Sequence, residues 1–366
     1  MNNVHAATRT FSRVPLHWIG IVLLALGALY FSAVGSSLVV FLFSSCALAG
    51  LGAIGLNLLL GTAGQVSIGN AGFLAVGAFG AVWVSRAGGG FVLSVVVASL
   101  LAVAAGVVAG LPALRLRGIP LALSTLAATY IAAFIGNLYQ TNTPGAGDLG
   151  FWLSSPFSGT YDVVQGYWLW LLTAMLALAI AFSVRLTLGK GGRAWRMIRD
   201  HEEVAATLGI KTAQYKLVMF GLSSGLIGTQ GALTGYFLGQ VSYETFTLLL
   251  AIQYLAMILV GGLDSVLGAL IGATAIVCLP TILNEAITAV GGENAAAVNG
   301  SQYANICYGA LIVLFIVSSP NGIMGWLRSL RDSSVGKRLG VRARATRRPI
   351  AAGDPDQAVV AADATK

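Results

Sequence analysis

The chain reads as a succession of long apolar runs separated by short polar segments. A bilayer core about 30 Å thick takes about 20 apolar residues in helical form. Runs of that order fall at 16–34, 38–60, 71–85, 91–112, 119–136, 166–186, 216–236, 248–260, 266–287 and 305–319. The pattern predicts an all-α integral membrane protein of about ten transmembrane helices. Runs 71–85 and 248–260 are short for a full crossing, and broken or re-entrant helices are expected there. Such irregular backbone is tolerated where protein encloses it or where it lines a cavity. Three segments follow: an N-terminal stretch 1–15, a membrane domain 16–319, and a tail 320–366 in which arginine replaces the apolar runs and disorder is expected.

Composition narrows the picture by exclusion. Hydrophobic residues make up 57% of the 366 and charged residues 9%, against about 25% charged in a soluble domain. A soluble enzyme and a disordered chain are both excluded. The net charge of +8 is placed as a topology signal: nine of the 21 Lys and Arg lie after Ser319 and seven more between Arg185 and Lys216. With the N-terminus inside, segments 1–15, 61–70, 113–118, 187–215, 261–265 and 320–366, with helix ends Arg185 and Lys216, hold 20 of the 21, as cytoplasmic segments do. Only Arg86 falls outside. The connection 137–165 holds Asp148, Asp162 and no cation, and Trp152, Tyr161, Tyr167, Trp168 and Trp170 on or beside it suit the headgroup level. Both termini are therefore expected in the cytoplasm. The basic tail fits anionic lipid, not nucleic acid. The first run is longer than a signal core and is expected to be retained. Cys46, Cys278 and Cys307 lie in apolar runs without metal-ligand spacing and read as small core residues.

Gly64-Gln65-Val66-Ser67 recurs as Gly239-Gln240-Val241-Ser242, an offset of 175. The same offset carries runs 38–60, 71–85 and 91–112 onto three later runs. Two five-helix halves of odd span number would cross in opposite senses, an inverted repeat of the kind found in transporters.

Catalytic chemistry is missing from the sequence. There is no phosphate-binding GxxxxGK[ST] loop, no HExxH and no Gly-x-Ser-x-Gly elbow. Among ionisable groups, Glu285 stands near the end of one run and Asp264 in the turn before it. A proton- or ion-coupled carrier needs carboxylates or histidines within the bilayer, so energy for transport is expected from another subunit.

Two polar sets stand out. Asn57, Gln65, Ser67 and Asn70 surround the first short run, and Gln253 and Tyr254 sit in the second. The glycine-rich stretch Gly61-Thr62-Ala63-Gly64-Gln65-Val66-Ser67-Ile68-Gly69-Asn70-Ala71-Gly72 is poorly suited to continuous helix. These residues either line a path for a polar solute or serve close packing and interhelical amide bonds. The second set is the segment from Arg193 to Gly209. Ala194, Trp195, Met197, Ile198, Val204, Ala205 and Leu208 form an interrupted apolar stripe, flanked by Arg193, Arg196, Arg199, Asp200, Glu202 and Glu203. A short amphipathic helix ending at Gly209 is expected, docking on a soluble partner in preference to an anionic bilayer. Alanine at Glu202 is expected to be milder than a bulky residue at Gly209.

Gly55-Leu56-Asn57-Leu58-Leu59-Leu60-Gly61, running through Gln65 to Phe73 and on to Gly77-Ala78-Phe79, resembles the first signature of the branched-chain amino acid ABC transporter permeases, the LivM type. Arg193 to Gly209 followed by Tyr215-Lys216-Leu217 resembles their cytoplasmic coupling loop. Val260-Gly261-Gly262-Leu263-Asp264-Ser265-Val266-Leu267-Gly268 resembles their second glycine signature, and Arg115-Leu116-Arg117-Gly118-Ile119 fits between. The resemblance covers about 40 to 325. It implies the ABC importer permease fold in a bacterial cytoplasmic membrane, working with a sister permease, an extracytoplasmic substrate-binding protein and two ATPase subunits that bind ATP and Mg. No cofactor or metal is implied in this chain. Arg193, Arg196, Arg199, Asp200, Glu202, Glu203, Ala206 and Gly209 become coupling residues, and branched-chain or related hydrophobic amino acids become the substrates. Asn70 stands where relatives often carry His or Gln, which leaves urea or short amides as an alternative cargo. A self-sufficient channel or carrier for a small neutral solute is the other reading.

Overall fold

The computed structural model describes residues 35–282 apart from 117, 145, 147–149 and 264, together with 27, 309 and 310. Within that range every expected apolar run is a helix. Helix α1, Ser37–Asn57, continues into a π turn, Leu58–Thr62. Helix α2 is Asn70–Arg86, and α3, Phe91–Gly110, ends in a tight turn, Leu111–Leu114. Helices α4, Ile119–Asn142, and α5, Tyr161–Leu188, precede two short ones, α6, Lys190–Asp200, and α7, Glu202–Thr207. The series closes with α8, Thr212–Leu238, α9, Leu248–Gly261, and α10, Val266–Ile282. Among the described residues five of these, α1, α3, α4, α5 and α8, are long and apolar enough to cross a membrane. Runs 16–34 and 305–319 and the basic tail lie outside the described residues but for Gly27, Gly309 and Ala310.

Two boundaries differ from the sequence reading. Helix α4 runs on to Asn142 and α5 begins at Tyr161, which shortens the connection expected at 137–165. The extension of α4 is polar, and it is helical because its residues find partners. Gln140 is buried and its side-chain oxygen accepts from the Tyr243 N–H at 3.2 Å. A second departure from a wholly helical reading is a two-residue antiparallel pairing, β1 (Phe151–Trp152) with β2 (Gln240–Val241), Phe151 opposite Val241.

Helices α1 and α8 form the interior, with about two thirds of their most apolar stretch buried, against a third or less for α3, α4 and α5. The outer helices present Val92, Leu100 and Val108, Ile119 and Phe134, and Leu178 to the surroundings, which is the face a lipid-contacting helix needs. Lipid tails are as apolar as leucine, so helix association there rests on close packing of small residues. A Cβ on Gly77 of α2 would fall 2.1 Å from the Gly228 carbonyl oxygen of α8, and one on Gly231 would fall 2.2 Å from the Leu74 carbonyl oxygen.

The offset of 175 reappears in the element boundaries. Helices α1 and α8 begin at Ser37 and Thr212, α2 and α9 end at Arg86 and Gly261, and α3 and α10 begin at Phe91 and Val266. Gly64 and Gly239, which open the two tetrapeptides, both have left-handed backbone, with φ of +67° and +71°.

Candidate functional site

The glycine-rich stretch breaks the helix, as its composition requires. After the π turn, the Ala63 N–H donates to Leu58 O at 3.2 Å and the Gln65 N–H to Leu59 O at 3.1 Å. The chain then turns at Gly64 and runs without helical structure to Gly69. That irregular stretch leaves backbone groups to be satisfied from elsewhere. Two threonines of α4 do this. The Thr125 hydroxyl accepts from the Ile68 N–H at 3.0 Å, and the Thr129 hydroxyl lies 3.4 Å from the Ile68 carbonyl. The sequence reading missed both threonines. Their spacing of four on an apolar run was the available signal, since it puts two hydroxyls on one helix face.

Asn57, Gln65, Ser67 and Asn70 are all buried within this chain. Ser67 has a local task, its hydroxyl accepting from the Gly69 N–H at 3.1 Å. The amides are different. Both polar atoms of Gln65, both of Asn70 and the side-chain oxygen of Asn57 are enclosed without a hydrogen-bond partner. A buried unpaired polar group costs about 1–3 kcal/mol, and here three amides carry one around a single helix break.

Of the second set, Tyr254 is buried and Gln253 half-buried, because adjacent helix positions cannot share a face. The Tyr254 hydroxyl accepts from the side-chain amide of Gln230 on α8, whose oxygen is left unpaired. Gly52 of α1 makes room for it: a Cβ there would meet the Gln230 side chain at 1.9 Å. Gln230 is a further site residue that the sequence reading passed over.

The segment 193–209 is covered by two helices, α6 and α7, not the one expected. His201, with φ −149° and ψ 85°, breaks the path between α6 and α7, and the turn brings Glu202 back toward α8. The apolar stripe divides accordingly. Ala194, Trp195, Ile198 and Ala205 are buried against this chain, while Met197, Val204 and Leu208 are exposed beside Arg193, Asp200, Glu203 and Ala206. Arg196 is intermediate. The Trp195 indole N–H donates to the Tyr215 carbonyl at 2.9 Å and its ring meets Tyr215 edge-on. The Lys216 ammonium, almost wholly enclosed, pairs with Glu202 at 2.7 Å and donates to Ala113 O at 3.3 Å. Arg199 pairs with Asp200 at 3.1 Å and also turns inward to the Gly61 carbonyl at 2.5 Å. Gly209 has φ +82°, the conformation in which glycine ends a helix. Between this segment and the helix break lies a polar cavity of about 230 Å³, bordered by Gln65, Ala113, Ile198, Arg199, Glu202 and Lys216.

The described residues hold no cluster of metal-ligating side chains. Comparison with known proteins gives the broken helix its context. The family described as branched-chain amino acid transport system / permease component matches residues 38–316. The chain belongs to that family. Among curated members of this permease group, the high-affinity branched-chain amino acid transport system permease protein LivM of Escherichia coli K12 is 27% identical over 299 residues, 75% of this chain and 67% of its own. The LivM protein of Salmonella typhimurium LT2 is 26% identical over 314 residues, 79% of this chain and 71% of its own. The LivH permease protein of the same Salmonella strain is 25% identical over 214 residues, 56% of this chain and 64% of its own. No solved structure matches the permease chain.

Proposed function

We propose that this chain is the non-catalytic permease subunit of an ABC importer in a bacterial cytoplasmic membrane. With a sister permease it forms the path for branched-chain or related hydrophobic amino acids, and separate ATPase subunits energise it. The observation that carries the reading is the break between α1 and α2, where Gln65 and Asn70 hold four side-chain polar atoms without partners. Such groups are retained at cost when another state supplies their partners, and a zwitterionic solute or water in an open state would do so. Both termini are cytoplasmic in this reading, and the shared offset of 175 supports an inverted repeat in which α1–α3 and α8–α10 are equivalent. The exposed patch of Met197, Val204 and Leu208, ringed by Arg193, Asp200 and Glu203, has the apolar centre and charged rim of a docking surface for an ATPase subunit.

Purification of the full-length chain with its bound partners tests the class. ATPase subunits and a second permease are expected to co-purify, and the reconstituted complex is expected to take up labelled leucine in an ATP-dependent manner. Urea uptake in place of leucine would reassign the cargo, and uptake by the chain alone would remove the importer class.

Gln65→Leu and Asn70→Leu test the path. Each should lower uptake by about tenfold, the scale of one lost hydrogen bond to a charged group, while complex yield stays at the wild-type level. Wild-type uptake by both variants would make these amides packing groups.

A further inference from the structure

Arg199 was expected to face a soluble partner as part of a charged rim. Its side chain goes the other way. The guanidinium donates through Nη1 to the Gly61 carbonyl at 2.5 Å, and Nε is held by Asp200 at 3.1 Å. Gly61 lies in the π turn that ends the α1 helix. The last carbonyls of a helix lack helical donors and carry the negative end of its dipole, so a cation there is favoured twice. The stem of the same side chain lies on Gly64, where a Cβ would fall 2.3 Å from Arg199 Cγ. Gly61 is also pressed against the connection between α9 and α10, since a Cβ on it would fall 1.9 Å from the Leu263 carbonyl oxygen. One arginine on α6 thus grips both ends of the turn Gly61–Gly64, and that turn touches the second glycine signature.

We propose that Arg199 is a positioning residue that carries movement of α6 to the break between α1 and α2, and through Gly61 to the α9–α10 turn. The proposal rests on the assignment of segment 193–209 to energy coupling. When an ATPase subunit displaces α6 and α7 through their exposed patch, the guanidinium draws the Gly61 carbonyl with it. The stem shifts Gly64, and the backbone leading to Gln65 and Asn70 moves. The neighbouring polar cavity gives this turn room to move. Arginine suits the task because its planar fork holds Asp200 and Gly61 at once, which the single ammonium of lysine does not.

The test uses the complete transporter in proteoliposomes, measuring leucine uptake and ATP hydrolysis on the same preparation. Arg199→Ala should lower the leucine moved per ATP hydrolysed by about tenfold, the loss of one charge-assisted hydrogen bond. Hydrolysis, complex yield and the KM for leucine should stay unchanged. Arg199→Lys should fall between. An unaltered ratio of uptake to hydrolysis in Arg199→Ala overturns the proposal. So does a loss of uptake that merely follows a loss of assembled complex, which would make the contact structural. Failure of the wild-type complex to couple leucine uptake to ATP would instead overturn the importer assignment itself.

Discussion

Gly228→Val should abolish recovery of folded protein. A Cβ at this position of α8 falls 2.1 Å from the Ala102 Cβ of α3, and that atom is fixed to its own backbone and cannot turn aside. Separating α3 from α8 by enough to admit the side chain would open an interface in which Gly106, Gly110, Gly221, Gly225 and Gly228 meet the facing helix closely, at a cost of about 3 kcal/mol or more. In lipid, no hydrophobic driving force compensates for lost packing between helices. The yield of monodisperse protein after size exclusion in mild detergent measures this. Gly228→Ala should be intermediate, and the pair Gly228→Ala with Ala102→Gly should recover it by restoring the space. A double variant no better than Gly228→Ala alone would refute the contact as the cause.

Glu202→Ala carries the second large effect, on stability. The carboxylate is the anionic partner of Lys216, whose side chain is only 7% exposed. Without it the ammonium keeps the Ala113 carbonyl, a neutral acceptor at 3.3 Å. Removing one member of an enclosed pair costs about 3–5 kcal/mol, and the 18% exposure of Glu202 brings this down to about 2 kcal/mol. A fall of about 3 °C in the detergent melting temperature is expected. Lys216→Met combined with Glu202→Ala should recover much of it, because no charge is then left buried. Equal destabilisation of the single and double variants would show that the ion pair is not the source.

The sequence disclosed the helices and concealed their partners, for a physical reason. A bilayer imposes a length and a composition on each span, so runs such as 91–112 and 248–260 coincide closely with α3 and α9. Ends set by polar contacts do not follow that rule, which is why α4 continues through Gln140. The break at Ala63–Gly69, inside the glycine-rich stretch Gly61–Gly72, was legible because glycine disfavours helix. Thr125 and Thr129, which satisfy it, lie in another run and carry no local sign of the task. Amphipathicity located the segment at 193–209, but a stripe does not say what covers it. Trp195 and Ile198 turned out to serve this chain, and Met197 and Leu208 are left outward. Gln230 was overlooked because a single amide among the glycines of α8 looks like filler until Tyr254 is placed beside it.

The two left-handed glycines lead into segments of unequal stiffness. Beyond Gly239 the chain is held by main-chain pairing, with Phe151–Trp152 laid along Gln240–Val241 and the Leu153 N–H on the Gly239 carbonyl at 2.9 Å. Around Gly64 the main chain keeps one hold of its own, the Gln65 N–H on Leu59 O, and the others are side-chain groups: the guanidinium of Arg199 on Gly61, before the turn, and the hydroxyls of Thr125 and Thr129 on Ile68, after it. A main-chain pairing opens only when a whole strand moves, whereas a hydroxyl or a guanidinium lets go by rotation about one or two side-chain bonds. The two breaks should therefore act as a spring and an anchor, a mechanical input to this chain being absorbed at the first while the second holds its shape.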